Sequence, residues 1–226
     1  AGNTNVKNKV TVTDGGDSSS TETTVDTGKG KIGGLDKKFE KMESTPQANI
    51  KELTWKSIIT MPGDGKLPQG TEFEDVLKGQ NGTNNGEHYF TKAQLDEIHK
   101  KLETIFGKDN FELQIMESGN SNWQYVNYNQ IDNNKTYKQF KFKLLKEYKS
   151  KNNVTLEYKS TINISNIVSF ANTISSGGFS SEAKYKYEES GKVFKMDGNN
   201  QVWDGTANGI SSSRSLRNCH TDFHNG

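Results

Sequence analysis

The chain has 226 residues, enough for one large domain or two small ones, yet only 30% of them are hydrophobic and 22 are glycine. Its net charge is +1, from 29 basic and 28 acidic residues, which excludes a global electrostatic pull toward nucleic acid or membrane. A single cysteine, Cys219, excludes an intramolecular disulfide, and no apolar run reaches the roughly 18 residues of a membrane-crossing helix.

The polar residues concentrate at the ends. Residues 1–34 carry only six apolar side chains. Three of these, Val6, Val10 and Val12, share one parity, so a strand over 5–13 presents them on one face. The Gly, Ser, Thr and Asp-rich stretch from Gly15 to Gly34 reads as a flexible tether.

Leu35, Phe39 and Met42 are spaced as one stripe of a short helix. Thr45-Pro46 has the form of a helix start running to about Leu53. Trp55 to Met61 is a short apolar run stopped by the turn Pro62-Gly63-Asp64-Gly65, and Thr71 with Glu74 has capping-box spacing for a helix to Lys78. The fullest set of signals lies over 92–106: Thr91 as cap, Gln94 three residues on, Leu95, Ile98, Leu102, Ile105 and Phe106 as the buried stripe, and Gly107 as the stop.

After Gly107 the period becomes two. Phe111, Leu113 and Ile115 alternate, as do Phe140, Phe142 and Leu144; Val154, Leu156 and Tyr158 alternate on what reads as the return limb of a hairpin. Ser175 to Ser181 reads as a loop, and short strands at Tyr185-Tyr187, Val193–Met196 and Val202-Trp203 follow. Helices first and strands after predict an α+β fold, with short N-terminal helices on one face of an antiparallel meander. The expected division is a polar arm over 1–34, one domain over 35–204 (helical to 107, strand-rich from 108) and a polar C-terminal tail over 205–226.

Three clusters are candidates for function. His220, Asp222 and His224 point the same way in an extended segment, and two imidazoles with a carboxylate are a ligand set for zinc. Eight lysines against two glutamates fill residues 135–159, and Lys138, Lys141, Lys143 and Lys146 among them make a face for an anionic ligand such as a glycan. Val6, Val10 and Val12 would form an assembly arm that adds a strand to a neighbouring copy. No nucleophile elbow, metalloprotease helix or phosphate loop is present in the sequence.

The reading is therefore a non-enzymatic extracellular or cell-surface structural protein, a subunit of a filament, pilus or coat, exported with a signal removed before Ala1. It needs no cofactor. Its partners are copies of itself and an anionic glycan or other cell-surface partner, with no nucleic acid. The alternatives are a surface-tethered adhesion or ligand-binding module, and a secreted metal-dependent hydrolase using the C-terminal histidines.

Overall fold

A computed structural model describes residues 5–14, 17–26, 31–126, 130–164, 169–186, 192–194 and 204–206. The chain divides into two compact units, Ala1–Val12 with Ser19–Lys186, and Thr13–Ser18 with Tyr187–Gly226. In the second unit, Lys192–Phe194 pairs antiparallel with Asp204–Thr206.

The first unit is built almost wholly of strands. In chain order they are β1 (Asn5–Asp14), β2 (Asp17–Asp26), β3 (Gly34–Ser44), β4 (Ile50–Thr60), β5 (Lys66–Leu67), β6 (Glu72–Lys78) and β7 (His88–Tyr89), followed by helix α1 (Lys92–Phe106). After the helix come β8 (Phe111–Glu117), β9 (Trp123–Tyr125), β10 (Tyr137–Leu144), β11 (Tyr148–Lys149), β12 (Val154–Asn163), β13 (Ser169–Ser176) and β14 (Phe179–Lys186). Eight of them form a large sheet in the order β1-β2-β14-β13-β6-β10-β8-β9, and four form a small sheet in the order β3-β4-β12-β7. The two sheets face one another as a sandwich, with β3 lying over β13 and β14. Leu53, Trp55, Phe73, Phe90, Phe140, Phe142, Phe170 and Ile174, all at 1% exposure or less, fill the space between them.

This overturns the expected α+β fold. Of the three segments expected as helices before residue 80, the first and third are the strands β3 and β6 and the second, 46–53, is a turn and the start of β4; the expected tether contains β2. The reason is local in each case. Leu35, Phe39 and Met42 are not a helical stripe but a strand face interrupted by a bulge. The register against β4 slips between Phe39 and Lys41, and the extra residue returns Met42 to the side that Phe39 left. Along β4, Leu53, Trp55, Ser57 and Ile59 are all fully buried, and along β6 so are Phe73, Asp75 and Leu77, the last at 1%. Both strands alternate correctly, but a polar residue stands at one inward position of each. Thr71 hydrogen-bonds back to the carbonyl of Pro68 at 2.7 Å instead of capping a helix.

The expected hairpin through 140–158 is also replaced. Its two limbs keep the predicted parity, with Phe140, Phe142, Leu144, Val154, Leu156 and Tyr158 all buried. They do not pair with each other. β10 lies between β6 and β8 in the large sheet, while β12 lies between β4 and β7 in the small one. The link between them crosses from one layer of the sandwich to the other. A hairpin instead joins β13 to β14 through Gly177-Gly178, with Gly177 at φ 55°, inside the stretch expected as a loop.

The single α-helix among the described residues is the one whose signals were complete. Thr91 caps the backbone of Gln94, the Gln94 side chain caps Thr91 in return, and Gly107 ends the helix at φ 96°. Leu95, Ile98 and Leu102 are fully buried and Phe106 nearly so, each burial stabilising the fold by roughly 1.5–3 kcal/mol, while Ile105 is only half-buried. The helix packs on β12 and β8. The Gln94 amide continues past its cap to donate to Thr161 Oγ1 at 2.8 Å and Glu52 Oε2 at 3.0 Å.

A buried lysine–aspartate cluster as the candidate functional site

Lys37 lies at the middle of β3 and is completely buried, a rare condition for lysine unless its charge is met by partners. Strand alternation places it there, between inward Leu35 and half-buried Phe39. Its backbone is held by side chains of the facing sheet. The Lys37 amide donates to Ser181 Oγ on β14 at 2.8 Å, and Thr21 Oγ1 on β2 donates to the Lys37 carbonyl at 2.7 Å. The free edge of β3 is thus closed without a ladder partner on that side.

The ammonium reaches across to one residue of the large sheet and is also met by two of its own sheet. It donates to Asp75 Oδ2 on β6 at 3.0 Å, to Ser57 Oγ on β4 at 3.0 Å and to the Tyr158 hydroxyl on β12. Tyr158 donates in turn to the same Asp75 Oδ2. The other carboxylate oxygen, Oδ1, accepts from Asn172 Nδ2 on β13 at 2.6 Å, and that nitrogen also donates to the Val76 carbonyl at 3.1 Å. Asp75, Ser57 and Asn172 are fully buried and Tyr158 is 2% exposed. Asn172 Oδ1 is buried with no hydrogen-bond partner among the described residues.

Register explains how these residues meet. Lys37 lies directly opposite Ser57 in the small sheet. In the large sheet Asp75 lies opposite Ile174 and Asn172 opposite Leu77, so Asp75 and Asn172 are diagonal neighbours on one face. Burial pulls the Lys37 ammonium down to about 8, against the pull of Asp75 in the opposite direction. Burial, reinforced by the Asp75 charge, pushes the Tyr158 phenol well above its ordinary value, so it remains a hydrogen-bond donor. Phe140 meets the Tyr158 ring edge-on at 5.4 Å and Phe90 lies 6.2 Å from it, which keeps this side of the cluster dry.

A second polar chain lies nearby in the core. Trp55 Nε1 donates to Ser160 Oγ at 2.8 Å, and Ser160 Oγ is 2.7 Å from His88 Nε2. His88 Nδ1 is 3.0 Å from the Lys78 carbonyl. A carbonyl only accepts, so Nδ1 carries the proton and Nε2 accepts from Ser160. Burial, aided by the charge of Lys37, pulls His88 down to about 4 and keeps it neutral.

The clusters singled out in the sequence are elsewhere. His220, Asp222 and His224 lie outside the described residues, and among the described residues no three His, Cys, Asp or Glu side chains gather as a metal site requires. Val6, Val10 and Val12 fall in β1, the edge strand of the large sheet, where Val10 and Val12 are 55% and 61% exposed. Val10 and Val12 border a groove of about 790 Å³ whose other walls include Leu35, Phe39 and Phe179. Lys138, Lys141 and Lys143 are half-buried on β10 and Lys146 is exposed beyond it. Carboxylates share that surface: Lys141 and Lys143 stand opposite Glu74 and Glu72, and Lys143 Nζ is 3.6 Å from Glu112. Lys141 also covers the Trp123 ring at 4.4 Å. Lys37, Asp75 and Asn172 belong to no recognisable motif or spacing in the sequence, and lie 38 and 97 residues apart along the chain, so nothing local marks them as one buried cluster.

No protein-family model matches the chain and no curated protein matches it. Among solved structures it has a weak likeness to AvmM, which catalyses macrocyclization in alchivemycin A biosynthesis (9% identity, 55% of this chain and 65% of that one, TM-score 0.21). It has a similar likeness to the C-terminal domain of the Streptococcus agalactiae AgI/II polypeptide BspA (9% identity, 76% and 59%, TM-score 0.24). A third is the collagen-binding domain of the Erysipelothrix rhusiopathiae surface protein RspB (7% identity, 84% and 59%, TM-score 0.22). The chain spans less than two thirds of the length of each of these, and likeness of this degree carries no argument about it. No helix among the described residues is long and apolar enough to cross a membrane.

Proposed function

We propose that the chain is a non-enzymatic module of a surface protein, of adhesion type, whose sandwich serves as a rigid body. The observation that carries this reading is the sealing of its ionisable core. Lys37, Asp75 and His88 are 0% exposed and Tyr158 is 2% exposed. Catalysis on a substrate requires such perturbed groups to line a cleft the substrate can enter. Here they tie strands of two sheets together instead, which suits a part that resists deformation. Strands β6, β8, β10 and β14 of the large sheet carry paired charges at partly exposed positions, as a surface in contact with water does. Beads coated with the full chain are expected to be retained saturably on plates bearing collagen, heparin or mixed glycans. Retention no better than that of albumin-coated beads on all three surfaces overturns the adhesion reading.

A second reading, a subunit of an assembly joined through the N-terminal strand, has one observation in its favour. β1 is an edge strand with two outward valines, a surface that another strand can cover. Deleting residues 1–13 is expected to abolish oligomers while leaving a folded monomer; a full-length chain that is always monomeric removes this reading.

A further inference from the structure

The cluster around Asp75 holds two side chains that can react with one another. Lys37 Nζ is a primary amine and Asn172 Cγ is the carbon of a carboxamide. One carboxylate holds both, with Oδ2 3.0 Å from Nζ and Oδ1 2.6 Å from Nδ2. All three residues are 0% exposed, so water does not compete. Asn172 Oδ1 has no partner among the described residues, and an orphaned buried acceptor marks an arrangement that resting stability alone does not explain.

We propose that Lys37 and Asn172 join in an intramolecular amide bond between β3 and β13, with Asp75 as the proton carrier. The inference does not depend on the function proposed above.

The steps balance without any outside reagent. Lys37 passes one proton from Nζ to Asp75 and becomes a neutral amine. Its lone pair attacks Cγ of Asn172, forming the Nζ–Cγ bond and placing negative charge on Oδ1. Asp75 gives its proton to Nδ2 and takes a second one from Nζ. The Cγ–Nδ2 bond breaks, the carbonyl re-forms and ammonia leaves. Asp75 ends protonated, so the core that began with an ammonium and a carboxylate ends with neither. Removing an ion pair from a dry interior relieves the desolvation cost of both charges. The approach of amine and carbonyl is supplied by the fold, which replaces a bimolecular encounter with a fixed geometry. Burial favours the same course, since it holds the Lys37 ammonium near 8 and brings the neutral amine within reach of ordinary pH. The Tyr158 hydroxyl, donating to Asp75 Oδ2, keeps the carboxylate turned toward both reactants.

Mass spectrometry of the denatured full chain tests this directly. The expected mass is that of the sequence less one ammonia, and proteolysis is expected to release a branched peptide joining the segments of Lys37 and Asn172. The Asn-Gly pairs at Asn81, Asn85, Asn208 and Asn225 can lose ammonia by closing on their own backbone, so the branched peptide decides and not the mass alone. Lys37→Arg and Asp75→Ala variants are expected to lack that peptide. The wild-type peptide map needs no variant to fold, so the test stands even where the variants do not. An unbranched wild-type map overturns the proposal, as does a branched peptide at Asn172 that persists in Lys37→Arg. Loss of one water with a Lys37–Asp75 branch overturns Asn172 as the acceptor.

Discussion

The core holds two polar networks of similar size and opposite character. One runs from Trp55 through Ser160 and His88 to the Lys78 carbonyl, and every donor in it has an acceptor. It carries no charge. The other gathers Lys37, Asp75, Tyr158, Ser57 and Asn172, joins β3, β4 and β12 of the small sheet to β6 and β13 of the large one, and leaves one acceptor, Asn172 Oδ1, unmet. A complete neutral chain specifies which strands sit together and has nothing left to react. A charged, incomplete one is costly to keep and therefore has somewhere to go.

Breaking the charged network is expected to have the largest effect. Asp75→Ala strands the Lys37 cation in the core, and the loss of stability in urea unfolding is expected to be about 3–5 kcal/mol. A Lys37→Met and Asp75→Leu pair that recovers most of that loss identifies stranded charge as its cause; a pair as unstable as Asp75→Ala alone contradicts it. Acid acts on the neutral network. His88 titrates near 4 when folded and 6.5 when free, so the unfolded chain binds a proton that the native one refuses between these values. Stability is full above about 6.5 and falls as the pH approaches 4, by on the order of 3 kcal/mol. The difference between wild type and His88→Phe across that window isolates the contribution, and parallel curves for the two sink it. Ser160→Ala is the mildest break. It leaves His88 Nε2 and Trp55 Nε1 without a partner, with an expected cost of about 1–3 kcal/mol and no change in the Lys37–Asn172 peptide map.

The contrast also explains which parts of the molecule could be read in advance. α1 was legible because cap, stripe and stop all lie within 17 residues, Thr91 to Gly107, and act locally. The strands of the second half showed their parity because Phe140, Phe142, Leu156 and Tyr158 alternate with polar residues outside. Their partners did not show, since which layer a strand joins is decided by packing across the sandwich and not by spacing along the chain. β3 and β6 misread because Lys37 and Asp75 stand at inward positions, where a charge erases the alternation that announces a strand, and in β3 a bulge after Phe39 adds a helix-like spacing. The candidate site was hidden by the same substitution that hid the fold around it.

The order in which the molecule is made follows from the span of this network. Asp75 is 38 residues from Lys37, Tyr158 is 121, and Ser181, which fixes the Lys37 backbone, is 144. Contacts between positions so distant form late in folding, after the long intervening loops have closed. A chain in which these strands have not yet come together does not hold amine, carboxylate and amide in reach of one another. An amide between β3 and β13 would thus act as a seal set only on finished copies. Misfolded chains would stay unsealed and open to proteolysis, and the bond would serve as a record that folding was completed.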